Sequence, residues 1–365
     1  MLNLRSIYYY FLALKISSLK FCKKIYFKTN FYKKSLVSIT PKQFYFYPNT
    51  FLLSSITNNE NFSFNLSDID PYTLWIKQNS KEEESLHNFL WLNLINRKND
   101  AVIIQKIIIQ WINKNNTYKK TIWSSSIASK RIISWILNAN IILNNADKNF
   151  KEIFFQSIII QINHLKKNFK FENSDSKKLE ILTAILLSGL VFKEYFENFN
   201  FSLKELKKII ENFFDNEGFP KNRNPNDLIK FSKYLILIKE CSKDAQQYIP
   251  DYLEEIIDKN LSCLTTILNP LNQMPLFNGA TEIKMDKYLN YIERLNYSCK
   301  KNKNLVGKIQ ILKNQKSIVF FDVGEPPKKS FSEAYQLGPL SFEYFFNNQK
   351  IITNCGYGKQ ISKKA

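Results

Sequence analysis

The stretch IIIQINHLKKN, Ile158 to Asn168, sets one of the chain's two histidines, His164, directly after Asn163 inside an apolar helical run. Imidazole exchanges protons near neutrality and an amide donates to developing negative charge, so the pair has the makings of an acid-base site. On a helix His164 shares a stripe with Ile160, Ser157 and Ile153 and points inward, while Asn163 follows Ile159 and Gln156. The same pattern also describes a core histidine satisfied by a hydroxyl. A second group, DNEGFPKNRNPNDLIKF (Asp215 to Phe231), joins two helices through Gly218 and Pro220 and offers Arg223 and Asn224 before Pro225 opens the next helix. The arginine fork suits a carboxylate or sulfate, and the free amides of a helix start favour anions. A surface arginine beside an ordinary first-turn proline is the plainer alternative. A third stretch, SEAYQLGPLSFEYFFNNQKIITNCG (Ser332 to Gly356), reads as a strand pair around a Gly-Pro step.

These residues need elements to hold them. Helix-length amphipathic segments run near Glu83–Asn96, Val102–Asn113, Ile127–Asn144, Phe150–Asn168, Lys177–Tyr195, Leu203–Phe214, Asp227–Cys241 and Gln246–Leu268. Their short connections, rich in Asn, Asp and Ser, imply antiparallel hairpins. Trp-Ile pairs at Trp75, Trp111 and Trp135 hint at a repeat but are too short to establish one. After Val306 the period shortens to the alternation of β-strands. The reading is α+β, divided into an irregular basic and aromatic lead-in (1–72), a helical domain (73–300) and the start of a sheet domain (301–365).

Composition bounds the function. The chain has 365 residues and is 44% apolar, enough for a substantial core. The abundance of Ile, Lys, Asn and Phe reads as codon bias that inflates lysine throughout, so the net charge of +20 is taken as evenly spread and only weakly diagnostic of a polyanionic partner. Five cysteines with no CxxC give neither a disulfide framework nor a zinc site. The start, MLNLRSIYYYFLALKISS, has a short apolar patch but no small-residue cleavage site, so no secretion signal is read. The longest apolar run, Ile181 to Phe192, falls well short of the roughly 20 residues that cross a bilayer and is expected to be a buried helix.

The motifs SLHNFLWLNLI, WSSSIASKRIISWI, QINHLKKN, DNEGFPKNRNP, MPLFNG and GPLSFEYFFNNQKIITNCG, in this order from Ser85 to Gly356, resemble the heparinase II/III-like polysaccharide lyases, particularly their alphaproteobacterial branch. The resemblance implies an incomplete (α/α) toroid of helix hairpins followed by antiparallel β-sheet, with an acidic polysaccharide (glycosaminoglycan or alginate-like) bound between them. It implies β-elimination at a uronic acid, with no cofactor and no metal. A base removes the proton α to the carboxylate, and the carboxylate must be neutralised for that proton to become acidic. Asn163 and His164 would neutralise it, Arg223 would clamp the anion, and Asn224 and Asn278 would join it in binding substrate.

Two positions depart from the family pattern. Asp227 stands where many members carry a tyrosine, and Gln336 where a histidine of the sheet domain is expected, which leaves neighbouring Tyr335 as the substitute acid or base. His87, in the first helix, reads as structural. About 60 residues follow Val306, so the sheet is expected to be truncated, with Phe320, Phe342 and Phe345 exposed along an uncovered face. The expected partner is an acidic polysaccharide, with no specific nucleic acid and no transmembrane segment, in the periplasm or cytoplasm. The alternatives are a non-catalytic module gripping anionic glycan and a basic helical scaffold binding nucleic acid or a membrane surface.

Overall fold

The computed structural model of the protein describes residues 4–57, 74–75, 83–94, 101–298, 304–332, 335, 338 and 340–355. Thirteen helices precede a sheet among them: α1 (Leu4–Tyr26), α2 (Asn30–Leu36), α3 (Ser54–Thr57), α4 (Glu83–His87), α5 (Ala101–Asn115), α6 (Ser125–Leu137), α7 (Ala139–Ile142), α8 (Lys148–Phe169), α9 (Asp175–Val191), α10 (Glu197–Phe213), α11 (Pro225–Asp244), α12 (Asp251–Ile267) and α13 (Asp286–Arg294). From α5 onward, successive hairpins build an incomplete (α/α) toroid.

Local chemistry sets the helix boundaries. Asp147 starts α8 by accepting the Phe150 amide at 2.7 Å, and Ser174 starts α9 by accepting from Lys177. Every residue of α9 from Leu179 to Val191 is buried. A helix apolar on all sides must be surrounded, and α9 packs against α6, α8, α10 and α11. Its one buried carboxylate, Glu180, meets Lys230 of α11 at 2.7 Å. Gly189 lets α10 approach closely, since a Cβ there would lie 2.5 Å from the Phe199 backbone nitrogen. Gly189→Ala is therefore expected to cost about 1–3 kcal/mol, the range for overpacking. Urea denaturation checks this, and an unchanged midpoint would show that the two helices can part freely.

The lead-in corrects the sequence reading. Its described part is helical in α1 and α2, and α2 buries Tyr32 and Leu36 against α8. The segment expected at Ile127–Asn144 breaks at Asn138, whose side chain donates to the Ser134 carbonyl. The last long segment starts only at Asp251, after Pro250.

Five strands, β1 (Leu305–Val306), β2 (Ile309–Lys313), β3 (Ser317–Asp322), β4 (Phe342–Phe346) and β5 (Gln349–Ile352), form an antiparallel meander in sequence order. The two-residue turns Gly307-Lys308 and Asn347-Asn348 have positive φ at both positions, the conformation that matches strand twist. The turn of the last pair thus lies at Asn347-Asn348, and the Gly-Pro step expected there precedes β4 instead. One face points at the toroid: Ile309, Ile311, Ile318, Phe320 and Phe345 are buried, together with Asp322 and Glu343. This corrects the expectation for Phe320 and Phe345. Phe342 does lie on the outer face, 40% exposed. The toroid itself supplies the cover: the Phe219 ring sits where a Cβ of Gly307 would be, and the Leu276 amide donates to Glu343.

Candidate functional site

His164 is held from two sides. Its Nε2 lies 3.1 Å from the Trp123 carbonyl, which can only accept, so Nε2 carries the proton. Nδ1 is then the acceptor, and the Tyr32 hydroxyl donates to it at 2.7 Å. The ring also packs against Phe27, Tyr118 and Trp123. Burial pushes its pKa down to about 4 against the pull of the Trp123 bond, and Lys23 and Arg131 add to the depression. The group is a neutral imidazole with both nitrogens engaged, the core histidine satisfied by a hydroxyl. It still forms one wall of a cavity of about 400 Å³ shared with Phe21, Lys23, Tyr118, Lys120 and Ser124. Asn163 points elsewhere, donating to the Leu36 carbonyl at 2.8 Å and the Ser38 hydroxyl at 2.9 Å. Both members of the Asn-His pair are therefore tied to the N-terminal segment.

Arg223 lies at the seam between toroid and sheet. Its Nη1 meets Asp322 Oδ1 at 2.5 Å, and both side chains are buried. Asn278 bridges the two, donating at 3.3 Å to the Arg223 carbonyl and at 3.2 Å to Asp322 Oδ2. The Gly324 amide donates to Asp322, and Gly324 has room only because it lacks a Cβ, which would lie 1.8 Å from Arg223 Nη1. The guanidinium is 5.9 Å from the centre of the Tyr335 ring. Four buried polar atoms here have no partner among the described residues: Arg223 Nε and Nη2, Asn278 Oδ1 and the Tyr335 hydroxyl. Arg223 and Asn278 also sit in the left-handed region, at φ +58° and +53°. Such backbone costs about 1–3 kcal/mol per residue and concentrates at functional sites.

The structure thus joins Arg223, Asn278 and Tyr335, and these share no direct contact with Asn163 or His164 among the described residues. The contacts of His164 are Tyr32, Phe27, Tyr118, Trp123 and Asn168, whereas those of Arg223 are Asp322, Asn278, Gly324 and Tyr335. Asn224 caps α11, its Oδ1 accepting the Asn226 amide at 2.9 Å. Asp227 accepts from Asn222 at 2.6 Å, and burial raises its pKa against that bond and the nearby Lys230. Gln336 lies outside the described residues.

Sequence reasoning missed Asp322, Tyr32 and Arg131. Arg131 is fully buried, donating to Gln161, to the His87 carbonyl and to the Ile122 carbonyl while stacking on Trp111 at 4.2 Å. Its only signal was a cation inside an apolar helical run. His87 accepts from Trp111 at 2.8 Å, a structural role as expected.

A helical toroid closed by an antiparallel sheet, with a cationic polar cluster at the seam, is the class that this architecture defines. Residues 302–364 match the family model described as heparinase II/III-like, C-terminal. Among solved structures, the chain is similar to the heparinase III that is the BT4657 gene product (TM-score 0.61, 13% identity, covering 84% of this chain and 56% of that one). It is also similar to heparan sulfate lyase HepC from Pedobacter heparinus (TM-score 0.58, 13% identity, 84% and 55%). A third similar structure is another heparinase III (TM-score 0.59, 13% identity, 82% and 53%). At this identity the likeness is one of fold, and the chain spans little more than half the length of these relatives. No curated protein sequence matches it.

Proposed function

We propose that the protein acts on an acidic, uronate-containing polysaccharide as a lyase, with the seam cluster as its site and the alphaproteobacterial heparinase II/III-like branch as its kin. One observation carries the reading: a buried arginine has one terminal nitrogen on Asp322 while its Nε and Nη2, side by side on one edge, are unpartnered among the described residues. Two parallel N–H groups match the two oxygens of a carboxylate. Neutralising the uronate carboxylate in this way acidifies the proton on the adjacent carbon. The Tyr335 hydroxyl, unpaired among the described residues on a ring centred 5.9 Å from the guanidinium, takes that proton as it gives up its own. The electron pair left on carbon forms the double bond while the 4-linked oxygen departs with the proton that the Tyr335 hydroxyl gives up. Asn278 Oδ1, also unpartnered, accepts from a sugar hydroxyl.

The test is incubation of the chain with heparan sulfate and alginate, following the ultraviolet absorbance of the unsaturated uronate. Tyr335→Phe removes only a hydroxyl that bonds to nothing among the described residues, so stability is expected to hold while turnover drops by about 10²-fold or more. Arg223→Lys keeps the charge opposite Asp322 but loses the two-donor edge, and weaker substrate binding is expected. A Tyr335→Phe protein as active as the parent would remove the tyrosine from the chemistry. Absence of elimination with retained binding would leave the second reading, a non-catalytic module for anionic glycan. That reading is favoured by the engagement of both His164 nitrogens and of Asp227.

A further inference from the structure

We infer that the N-terminal hairpin, α1 with α2, is an interfacial anchor that lies on the anionic surface of a lipid bilayer. Of the 26 large apolar side chains exposed among the described residues, ten lie between Tyr10 and Ile39. On α1, Tyr10, Leu14, Phe21 and Ile25 are 65%, 45%, 64% and 52% exposed. Their spacings of four, seven and four residues put all four on one helix face, with Phe11 at its edge. The hairpin meets the body by other groups: Phe27 packs on Tyr118 and His164, the Lys23 ammonium lies over Phe171, and Tyr32 and Leu36 are buried under α2. Phe31, Val37 and Ile39 remain outside, at 72%, 50% and 76% exposure. From Tyr10 to Cys22 every described side chain of α1 is exposed, so its apolar stripe is covered by no other part of the chain, the reverse of a soluble surface helix.

Charge identifies the occupant. The chain's positive charge is not evenly spread: nine Lys and Arg residues and no Asp or Glu precede Glu60. Lys15, Lys28, Lys33 and Lys34 are exposed around the apolar face. A second copy of this chain would bring lysines against lysines with no carboxylate between them, so self-pairing through this face is repulsive. Lipid phosphates supply the counter-charge, while tyrosine and phenylalanine suit the headgroup boundary. No described helix is long and apolar enough to cross a membrane, so the hairpin lies along the surface.

The experiment is co-sedimentation of the full chain with vesicles of equal parts phosphatidylcholine and phosphatidylglycerol, against phosphatidylcholine alone. Binding to the mixed vesicles is expected, falling as salt is raised, with little binding to the neutral ones. The pairs Phe11→Ser with Phe21→Ser, and Lys33→Glu with Lys34→Glu, should each lower partitioning by about tenfold or more. All four sites are exposed, so circular dichroism and the unfolding midpoint should match the parent. Failure of the parent to bind anionic vesicles would overturn the inference, as would undiminished binding by both variants. Concentration-dependent dimers abolished by the phenylalanine changes, without vesicle binding, would overturn it in favour of a protein occupant.

Discussion

Replacing Asp322 with alanine is expected to lower the unfolding free energy by about 3–5 kcal/mol, the cost of leaving a buried cation without its counter-charge. The carboxylate takes the Arg223 guanidinium, the Gly324 amide and the Asn278 amide together, so three donors lose their acceptor at once. Because Asp322 ends β3 and Arg223 precedes α11, the pair is also a clamp between sheet and toroid. The loss should appear as lower urea resistance, with hydrogen exchange rising first in β2 to β4 if the sheet detaches. The double change Arg223→Met with Asp322→Leu should recover much of the stability, since apolar replacements of a buried pair are often neutral. A loss below about 1 kcal/mol in Asp322→Ala would mean that water reaches the seam and screens the arginine.

Acid should destabilise the fold before most carboxylates protonate. Burial lowers His164 from 6.5 to about 4, and lowers His87 to about 3 with help from Arg131, Lys119 and Lys114. Between those values and 6.5 the unfolded chain binds more protons than the folded one, so stability rises with pH across that window. The contribution is complete above about pH 6.5 and is lost as pH falls toward 4 and 3. Each tenfold loss of proton affinity on folding is worth about 1.4 kcal/mol, so His164 accounts for about 3 kcal/mol and His87 for somewhat more. Urea midpoints at pH 7 and pH 4.5 test this, and His164→Asn should flatten the profile while lowering its plateau. Equal midpoints at the two pH values would show that both imidazoles already accept protons in the folded state.

Much of the architecture was legible because helix and strand periods are local. The apolar run at Ile181–Phe192 announced a surrounded helix, and α9 is buried throughout from Leu179 to Val191. Alternation after Val306 announced antiparallel strands, and the stripe of α8 pointed His164 inward but left open whether it is an acid-base group or the core histidine satisfied by a hydroxyl that the structure shows. Pro225 after Asn224 marked the start of α11, whereas Asn224, read from the sequence as a substrate-binding residue, caps that helix through its Oδ1.

Only the tertiary structure decided which groups meet. The hydroxyl on His164 comes from Tyr32, 132 residues away, and the acid on Arg223 from Asp322, 99 residues away. Neither pairing leaves a periodic trace, because each is fixed by how whole elements dock and not by the residues beside it in sequence. The same holds for the lead-in: it was read as irregular, and only the structure shows that its helices are held to the body by a few side chains such as Tyr32 and Leu36 against α8. Sequence determined the elements through local propensity and burial period; packing over long separations determined that the Asn-His pair is tied to the N-terminal segment and that Arg223 meets Asp322 at the seam.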